Sequence, residues 1–256
     1  MSKNVVSIIL AAGEGTRMKS SLPKVLHRIC GKPMISYVLS AVFKAGIKRN
    51  YIVVGHKREK VIEEIDNLLS ARNAVYVRQS PLLGSGHAVM QVKRFLKSYT
   101  GSVLVTCADL PLLSGNTISS LVSLHMREKN RATLLGALVA DPFGYGRIIQ
   151  DARGEVVRIV EEKDATEEER KVRKINSGVY CFERKDLFEA LDKVRPDNAK
   201  REYYLTDVIR IMKEERKKIG IKTLRNGQEI TGVNTAGQLA GVEKYMKKRS
   251  DVEKGR

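Results

Sequence analysis

Val5-Val6-Ser7-Ile8-Ile9-Leu10-Ala11-Ala12-Gly13-Glu14-Gly15-Thr16-Arg17 is the stretch on which the reading of the fold turns. Val5–Leu10 is apolar almost throughout, as a strand covered on both faces of a parallel sheet must be. It runs straight into a glycine-rich turn. In α/β sheets the turn at the carboxyl end of the first strand is where phosphates bind, because glycines let main-chain N–H groups approach anionic oxygens. Two cations, Arg17 and Lys24, follow the same turn. The segment is not a P-loop, which needs G-x-x-x-x-G-K-[ST]. It is not a dinucleotide fingerprint either, since Met18 stands where the third glycine belongs.

Outward from this turn, apolar runs alternate with helical patterns. A helix follows Pro33, with Ile35, Val38, Leu39 and Val42 on one face and Gly46 near its stop. Strands are expected at Tyr51–Val54, Ala74–Val77, Ser102–Thr106 and Ala132–Val139, and helices at Glu59–Leu69, His87–Leu96 and Thr117–Glu128. That alternation predicts a doubly wound parallel sheet with helices on both faces. After Asp141 the pattern changes. Tyr145–Gln150 and Val156–Glu161 flank Asp151-Ala152-Arg153-Gly154 and read as a β-hairpin. A charged stretch over Glu161–Lys174 reads as a loop with a short helix. Beyond it come a strand at Ser177–Phe182, helices near Lys185–Lys193 and Leu205–Lys217, and short elements at Ile221–Leu224 and Ile230–Val233. A last helix starts near Ala236, and Lys247–Arg256 is polar and expected to fray.

The composition of the 256 residues, 42% hydrophobic and 30% charged, supports a packed core rather than disorder. Apolar runs such as Val5–Ala12 are far shorter than the roughly 20 residues of a membrane span, and no secretion signal is visible, so a soluble cytoplasmic protein is expected. Cys30, Cys107 and Cys181 are odd in number and widely spaced, which argues against disulfides and structural zinc. His27, His56 and His125 have no metal-ligand spacing. The formal charge of +18 raises nucleic-acid binding. The basic residues, however, are interleaved with Glu, there is no Trp, and no aromatic-plus-basic cluster could stack bases. A solvated surface, together with attraction for a polyanionic small substrate, accounts for the charge. No nucleic-acid or membrane partner is expected, and a homo-oligomer is left open.

The string L-A-A-G-x-G-T-R-M-x-S-x-L-P-K from Leu10 to Lys24 resembles the signature of sugar-nucleotide pyrophosphorylases. More narrowly, it is similar to the uridylyltransferase domain of bacterial bifunctional N-acetylglucosamine-1-phosphate uridylyltransferases. The resemblance continues through Gln79 and Leu83–Ala88, Gly144–Ile148, Val160–Thr166, Ile175–Gly178, Glu202–Asp207 and Gly232–Asn234, and so spans nearly the whole chain. It implies a Rossmann-like mixed α/β sheet carrying a β-hairpin sugar-binding subdomain. Residues 1–235 would form the nucleotidyltransferase domain (1–140 the nucleotide part, 141–235 the sugar part), and 236–256 a C-terminal helix and polar tail.

The resemblance also implies roles. Leu10, Ala11, Ala12 and Gly13 would hold the nucleotide. Arg17 and Lys24 would neutralise the triphosphate and the departing pyrophosphate. Gln79 would read the uracil edge, helped by the backbone of Gly84 and Ser85. Asp109 and Asn234 would offer oxygens to Mg²⁺, while Gly146, Glu161 and Asn176 would hold the sugar. Read without the resemblance, Asp109 could be a turn or N-cap residue, Asn234 an ordinary loop residue, Glu161 a solvated charge and Gln79 a surface side chain. His87, at a helix start, reads as packing or capping and is given no catalytic role.

Two departures stand out. The family usually has Tyr-Gly-Asp before Pro-Leu, where this chain has Cys107-Ala108-Asp109. The bifunctional relatives continue into a β-helical acetyltransferase domain, whereas no hexapeptide repeat occurs here, so no acetyl transfer is expected of this chain. The rivals are the same chemistry on glucose 1-phosphate or with another nucleotide, and a non-catalytic binding module on the same fold. A glycosyltransferase would commonly carry Asp-x-Asp, which this sequence lacks.

Overall fold

Strand β1 (Val5–Ala11) is buried because its alternate side chains enter two different apolar layers. Val6 and Ile8 join one core cluster; Val5, Ile9 and Ala11 join the other. The computed structural model describes residues 4–68 and 74–254. After β1 come a small ribbon, β2 (Arg28–Ile29) with β3 (Lys32–Pro33), then α1 (Met34–Lys44), β4 (Asn50–Val54), α2 (Arg58–Leu68), β5 (Ala74–Arg78) and α3 (Ser85–Met90). Next are β6 (Ser102–Cys107), α4 (Gly115–Arg127), β7 (Ala132–Leu138), the hairpin β8 (Arg147–Gln150) and β9 (Val156–Val160), and α5 (Glu167–Arg170). The chain ends with β10 (Lys174–Glu183), α6 (Arg184–Leu191), α7 (Asp207–Glu214), β11 (Ile219–Leu224) and α8 (Ala236–Lys254).

The nine-stranded sheet runs β11-β7-β10-β6-β1-β4-β5, with β8 paired to β10 and β9 to β8. Helices α1, α2 and α4 supply Val38, Val61, Ile65 and Leu121 to one face. Helices α3, α6 and α7 supply Val89, Leu187 and Val208 to the other. The sheet is therefore doubly wound, as the alternation predicts. It is not wholly parallel: β10 lies antiparallel between β6 and β7. The hairpin β8–β9 turns the chain before β10, which enters the sheet from the opposite end.

Several boundaries differ from the sequence reading. The helix expected over His87–Leu96 is α3 followed by a separate 3-10 turn at Lys93–Leu96. Strand β10 is longer than expected, and of the expected element at Ile230–Val233 only Ile230 is regular, as the end of a 3-10 turn over Gln228–Ile230. Leu69, the expected end of the second helix, lies outside the described residues. The polar tail is helical through Lys254 instead of frayed; residues 255 and 256 lie outside the described residues. Helix α8 packs Val242 and Leu239 with Ile29, Met34 and Val233. No described helix is long and apolar enough to cross a membrane.

Candidate active site

Four of the predicted residues meet at the carboxyl ends of β1 and β6. Lys24 Nζ donates to Asp109 Oδ2 and, at 3.0 Å, to Asn234 Oδ1. Arg17 donates to the same Asn234 oxygen, also at 3.0 Å. The side chains of Lys24 and Asp109 are 15% and 17% exposed, so the pair is shielded from bulk water without being sealed from a ligand. The segment carrying Asn234 is tied to Asp109 through the main chain, by Val233 N–H to the Asp109 carbonyl at 3.0 Å. Asp109 caps no helix; the cap of α4 is Ser114, which accepts from Thr117 N–H. The Ala108 N–H donates to the Leu10 carbonyl at 3.0 Å and His56 N–H to the Ala12 carbonyl at 3.1 Å, so the loop after β1 is held by its carbonyls.

Gly15 is the pivot of this arrangement. Its φ is +66°, where a side chain is strained, and a Cβ there would lie 2.5 Å from Lys24 Cβ. The glycine thus lets the lysine stem cross the loop and reach Asp109. Leu10 is half-buried, Ala11 and Ala12 are buried, and Gly13 is exposed with no atom near its missing Cβ.

The predicted sugar residues form a second group. Gly146 and Asn176 are joined by Asn176 N–H to the Gly146 carbonyl at 2.8 Å. A Cβ at Gly146 would stand 3.1 Å from Ile159 Cγ2, a tight fit, and 3.4 Å from Glu161 Oε2, in ordinary contact with the carboxylate. Glu161 accepts from the Thr206 hydroxyl at 3.2 Å, and burial raises its pKa above the ordinary carboxylate range. Asn176 Nδ2 donates to the Tyr180 hydroxyl at 2.7 Å, and burial holds that phenol neutral. Cys107 lies between the two groups. Burial pushes its thiol up to about 12, and the charges of Asp109 and Glu161 both add to the shift.

The base-side residues form a third group. Gln79 is 5% exposed, and its Nε2 donates to the Gly84 carbonyl at 2.9 Å. The Ser85 hydroxyl accepts from Leu205 N–H at 3.0 Å, while Gly86 N–H donates to the Tyr203 carbonyl at 2.7 Å. Gly84 has φ +102°, and a Cβ there would lie 2.8 Å from the Tyr203 carbonyl. Residues 203–206 therefore bridge the loop at Ser85 to Glu161. Thr206, Tyr180 and His87 are contributors to which the sequence reading gave no such part. Thr206 belongs to a quoted motif, so its signal was present; Tyr180 carried none, because a strand tyrosine reads as core.

Among the described residues no group of three or more His, Cys, Asp or Glu could hold a metal on its own. His125 is used in the core, facing Thr133 Oγ1 at 2.9 Å and Glu183 Oε1 at 3.1 Å. A carboxylate with one amide oxygen is nevertheless a donor set suited to Mg²⁺, which takes few protein ligands and completes its shell with phosphates and water.

Comparison with known proteins agrees with this geometry. The sequence pattern of the nucleotidyl transferase family matches residues 6–227. Bifunctional protein GlmU of Pelotomaculum thermopropionicum is 48% identical over 96% of this chain and 53% of its own length. Bifunctional protein GlmU of Clostridium kluyveri is 49% identical over 95% of this chain and 52% of its own. The chain spans about half the length of these curated relatives. The crystal structure of a UDP-glucose pyrophosphorylase complexed with UDP-glucose superposes with a TM-score of 0.76, covering 97% of this chain and 100% of that one at 22% identity, which is a likeness of fold. By pattern, by relatives and by fold, this chain belongs to the nucleotidyl transferase family.

Proposed function

We propose that this chain transfers UMP from UTP to N-acetylglucosamine 1-phosphate, giving UDP-N-acetylglucosamine and pyrophosphate with Mg²⁺. The observation that carries the reading is the meeting of Arg17, Lys24, Asp109 and Asn234 beside the loop after β1, with the group Gly146, Glu161 and Asn176 next to it across Cys107.

The chemistry asks for charge control and positioning. A sugar-phosphate oxygen attacks the α-phosphorus of UTP, the new P–O bond forms, and the bond to the bridging oxygen breaks as pyrophosphate leaves. The attacking phosphate is already an anion, so no general base is needed. What must be overcome is repulsion between two polyanions, and Arg17 and Lys24 supply fixed positive charge where the pyrophosphate departs. Asp109 and Asn234 would hold Mg²⁺, whose bound charge neutralises the phosphate oxygens. In this structure the same oxygens accept from Lys24 and Arg17, so the two cations and the two oxygen donors are already paired. Glu161, kept in place by Thr206, would accept from sugar hydroxyls, and Asn176 and Gly146 would complete that pocket. Holding both substrates in line accounts for much of such a rate enhancement.

The test is pyrophosphate release by purified protein across a panel of nucleoside triphosphates and sugar 1-phosphates. Strongest release with UTP and N-acetylglucosamine 1-phosphate is expected. No release with any pair would remove the catalytic reading in favour of a binding module.

A further inference from the structure

The amide of Gln79 is oriented by its surroundings, and the orientation determines what it can recognise. Its main chain extends the β4–β5 ladder, with N–H to the Val54 carbonyl at 2.8 Å, so its position is fixed before its side chain is considered. An amide has two N–H donors on nitrogen and two lone pairs on oxygen. The Gly84 carbonyl at 2.9 Å can only accept, so the nitrogen end must face it; the reverse orientation would oppose two oxygens.

Gln79 Nε2 also lies 3.2 Å from His87 Nδ1. The other ring nitrogen, Nε2, faces Gln91 at 3.0 Å. Burial lowers the pKa of His87, which favours the neutral ring. A neutral imidazole has one donor and one acceptor, so it cannot accept from both amides. Gln79 is the buried one, and an unpaired buried N–H costs more than one that water can reach, whereas Gln91 is half-buried. The lone pair therefore belongs on Nδ1, facing Gln79, and the Nε2–H faces Gln91; the nitrogen of that amide also donates to the His87 carbonyl at 3.1 Å, and its half-buried side chain gives up the ring contact and turns to water. The ring is held over this spot by Tyr203, with centroids 6.2 Å apart.

With both N–H groups engaged, Gln79 has only its oxygen left to offer. The residue borders an open cavity of about 310 Å³ lined by Gly55, His56, Arg58 and Leu82. An acceptor presented there pairs with the ring N3–H of uracil and opposes the N3 lone pair of cytosine.

We propose that His87 is a positioning residue for base recognition: together with the Gly84 carbonyl it locks the Gln79 amide oxygen-outward and so favours uracil over cytosine. This rests on the uridylyl-transfer reading above. The experiment measures kcat and KM for UTP and CTP in the wild type, His87→Phe and His87→Asn, with thermal melting of each. Phenylalanine keeps the ring against Tyr203 and removes the acceptor, while asparagine restores one. His87→Phe is expected to raise the UTP KM about tenfold with a smaller change in kcat, and to narrow the UTP/CTP ratio by a similar factor. His87→Asn is expected to recover most of both.

Unchanged UTP KM and ratio in His87→Phe, a loss confined to kcat, or no recovery in His87→Asn would overturn the assignment while leaving uridylyl transfer intact. A wild type that uses no UTP overturns the function itself, and this inference with it. Should His87→Phe not fold, ¹⁵N spectra of the wild-type histidines decide: His87 is expected with its proton on Nε2, and a proton on Nδ1 refutes the lock.

Discussion

Asp109 is tied to its surroundings in two separable ways. Its main-chain carbonyl receives Val233 N–H, which a substitution of the side chain leaves in place, while its carboxylate faces Lys24. Asp109→Ala should therefore keep the fold and nearly abolish turnover. The loss of charge stabilisation is expected to amount to several kcal/mol of barrier, with each ~1.4 kcal/mol worth tenfold in rate. Steady-state kinetics at saturating Mg²⁺ alongside a melting curve checks it; near wild-type activity would remove Asp109 from the site. Arg17 is exposed, and the side-chain hydrogen bond it shows is to Asn234 rather than to Gly146, Glu161 or Asn176. Arg17→Ala should accordingly lower kcat and leave sugar-phosphate affinity little changed, because its charge matters most as negative charge shifts to pyrophosphate. A large rise in the sugar-phosphate KM with unchanged kcat would contradict this.

At the scale of elements, α6 is joined to the start of β7 and to the turn before β11 by a buried carboxylate outside the site. Asp186, at the start of α6, is 2% exposed and accepts from Arg131, just before β7, and Lys217, between α7 and β11. Burial alone would raise its pKa, but hydrogen bonds from Lys217 and Arg131 outweigh it and hold the carboxyl below its ordinary value. A folded-state pKa below the unfolded one means stability that is fully present above the unfolded value of about 3.9 and is lost as pH falls through the folded one. Asp186→Asn should thus destabilise the protein at neutral pH. The expected cost is about 2–3 kcal/mol, at the low end for a broken buried pair because both cations are partly exposed. The difference between variant and wild type should shrink as pH drops below about 4. Denaturant unfolding at pH 7 and pH 3.5 measures both, and a gap that widens in acid would refute the assignment. The bridge of residues 203–206 acts on the same scale: Leu205 N–H reaches Ser85 and the Thr206 hydroxyl reaches Glu161, so the two loops are tied through one short segment.

For the whole molecule, the proposed function divides the labour, with the loop after β1 on the phosphates and the later part of the chain on the sugar. Sugar choice tests that division. N-acetylglucosamine 1-phosphate should be preferred to glucose 1-phosphate by at least about tenfold in kcat/KM, since an unfilled acetamido pocket leaves apolar surface uncovered and polar groups unpaired. Competition between the two sugar phosphates for one enzyme measures it. Equal use would assign the pocket, with Cys107 beside Glu161, to a broader range of sugars.

The first strand, the glycine-rich turn after it and the strand–helix alternation were legible in the sequence because they depend on local rules: apolar continuity for a buried strand, glycine where the main chain turns with positive φ, 3.6-residue spacing for helices. Motifs recurring in a fixed order likewise marked Arg17, Lys24, Asp109 and Asn234. Other features had no local signal. The antiparallel course of β10 depends on which gap in the sheet the hairpin leaves open. The seating of the first turns of α8 depends on Ile29 and Met34, two hundred residues earlier in the chain, covering its apolar side. The part played by His87 depends on a glutamine eight residues away turning back on the same helix start. These are contacts between residues distant along the chain or around a turn, and a pattern of residue types cannot specify them, because pairing and burial are settled only when the layers pack.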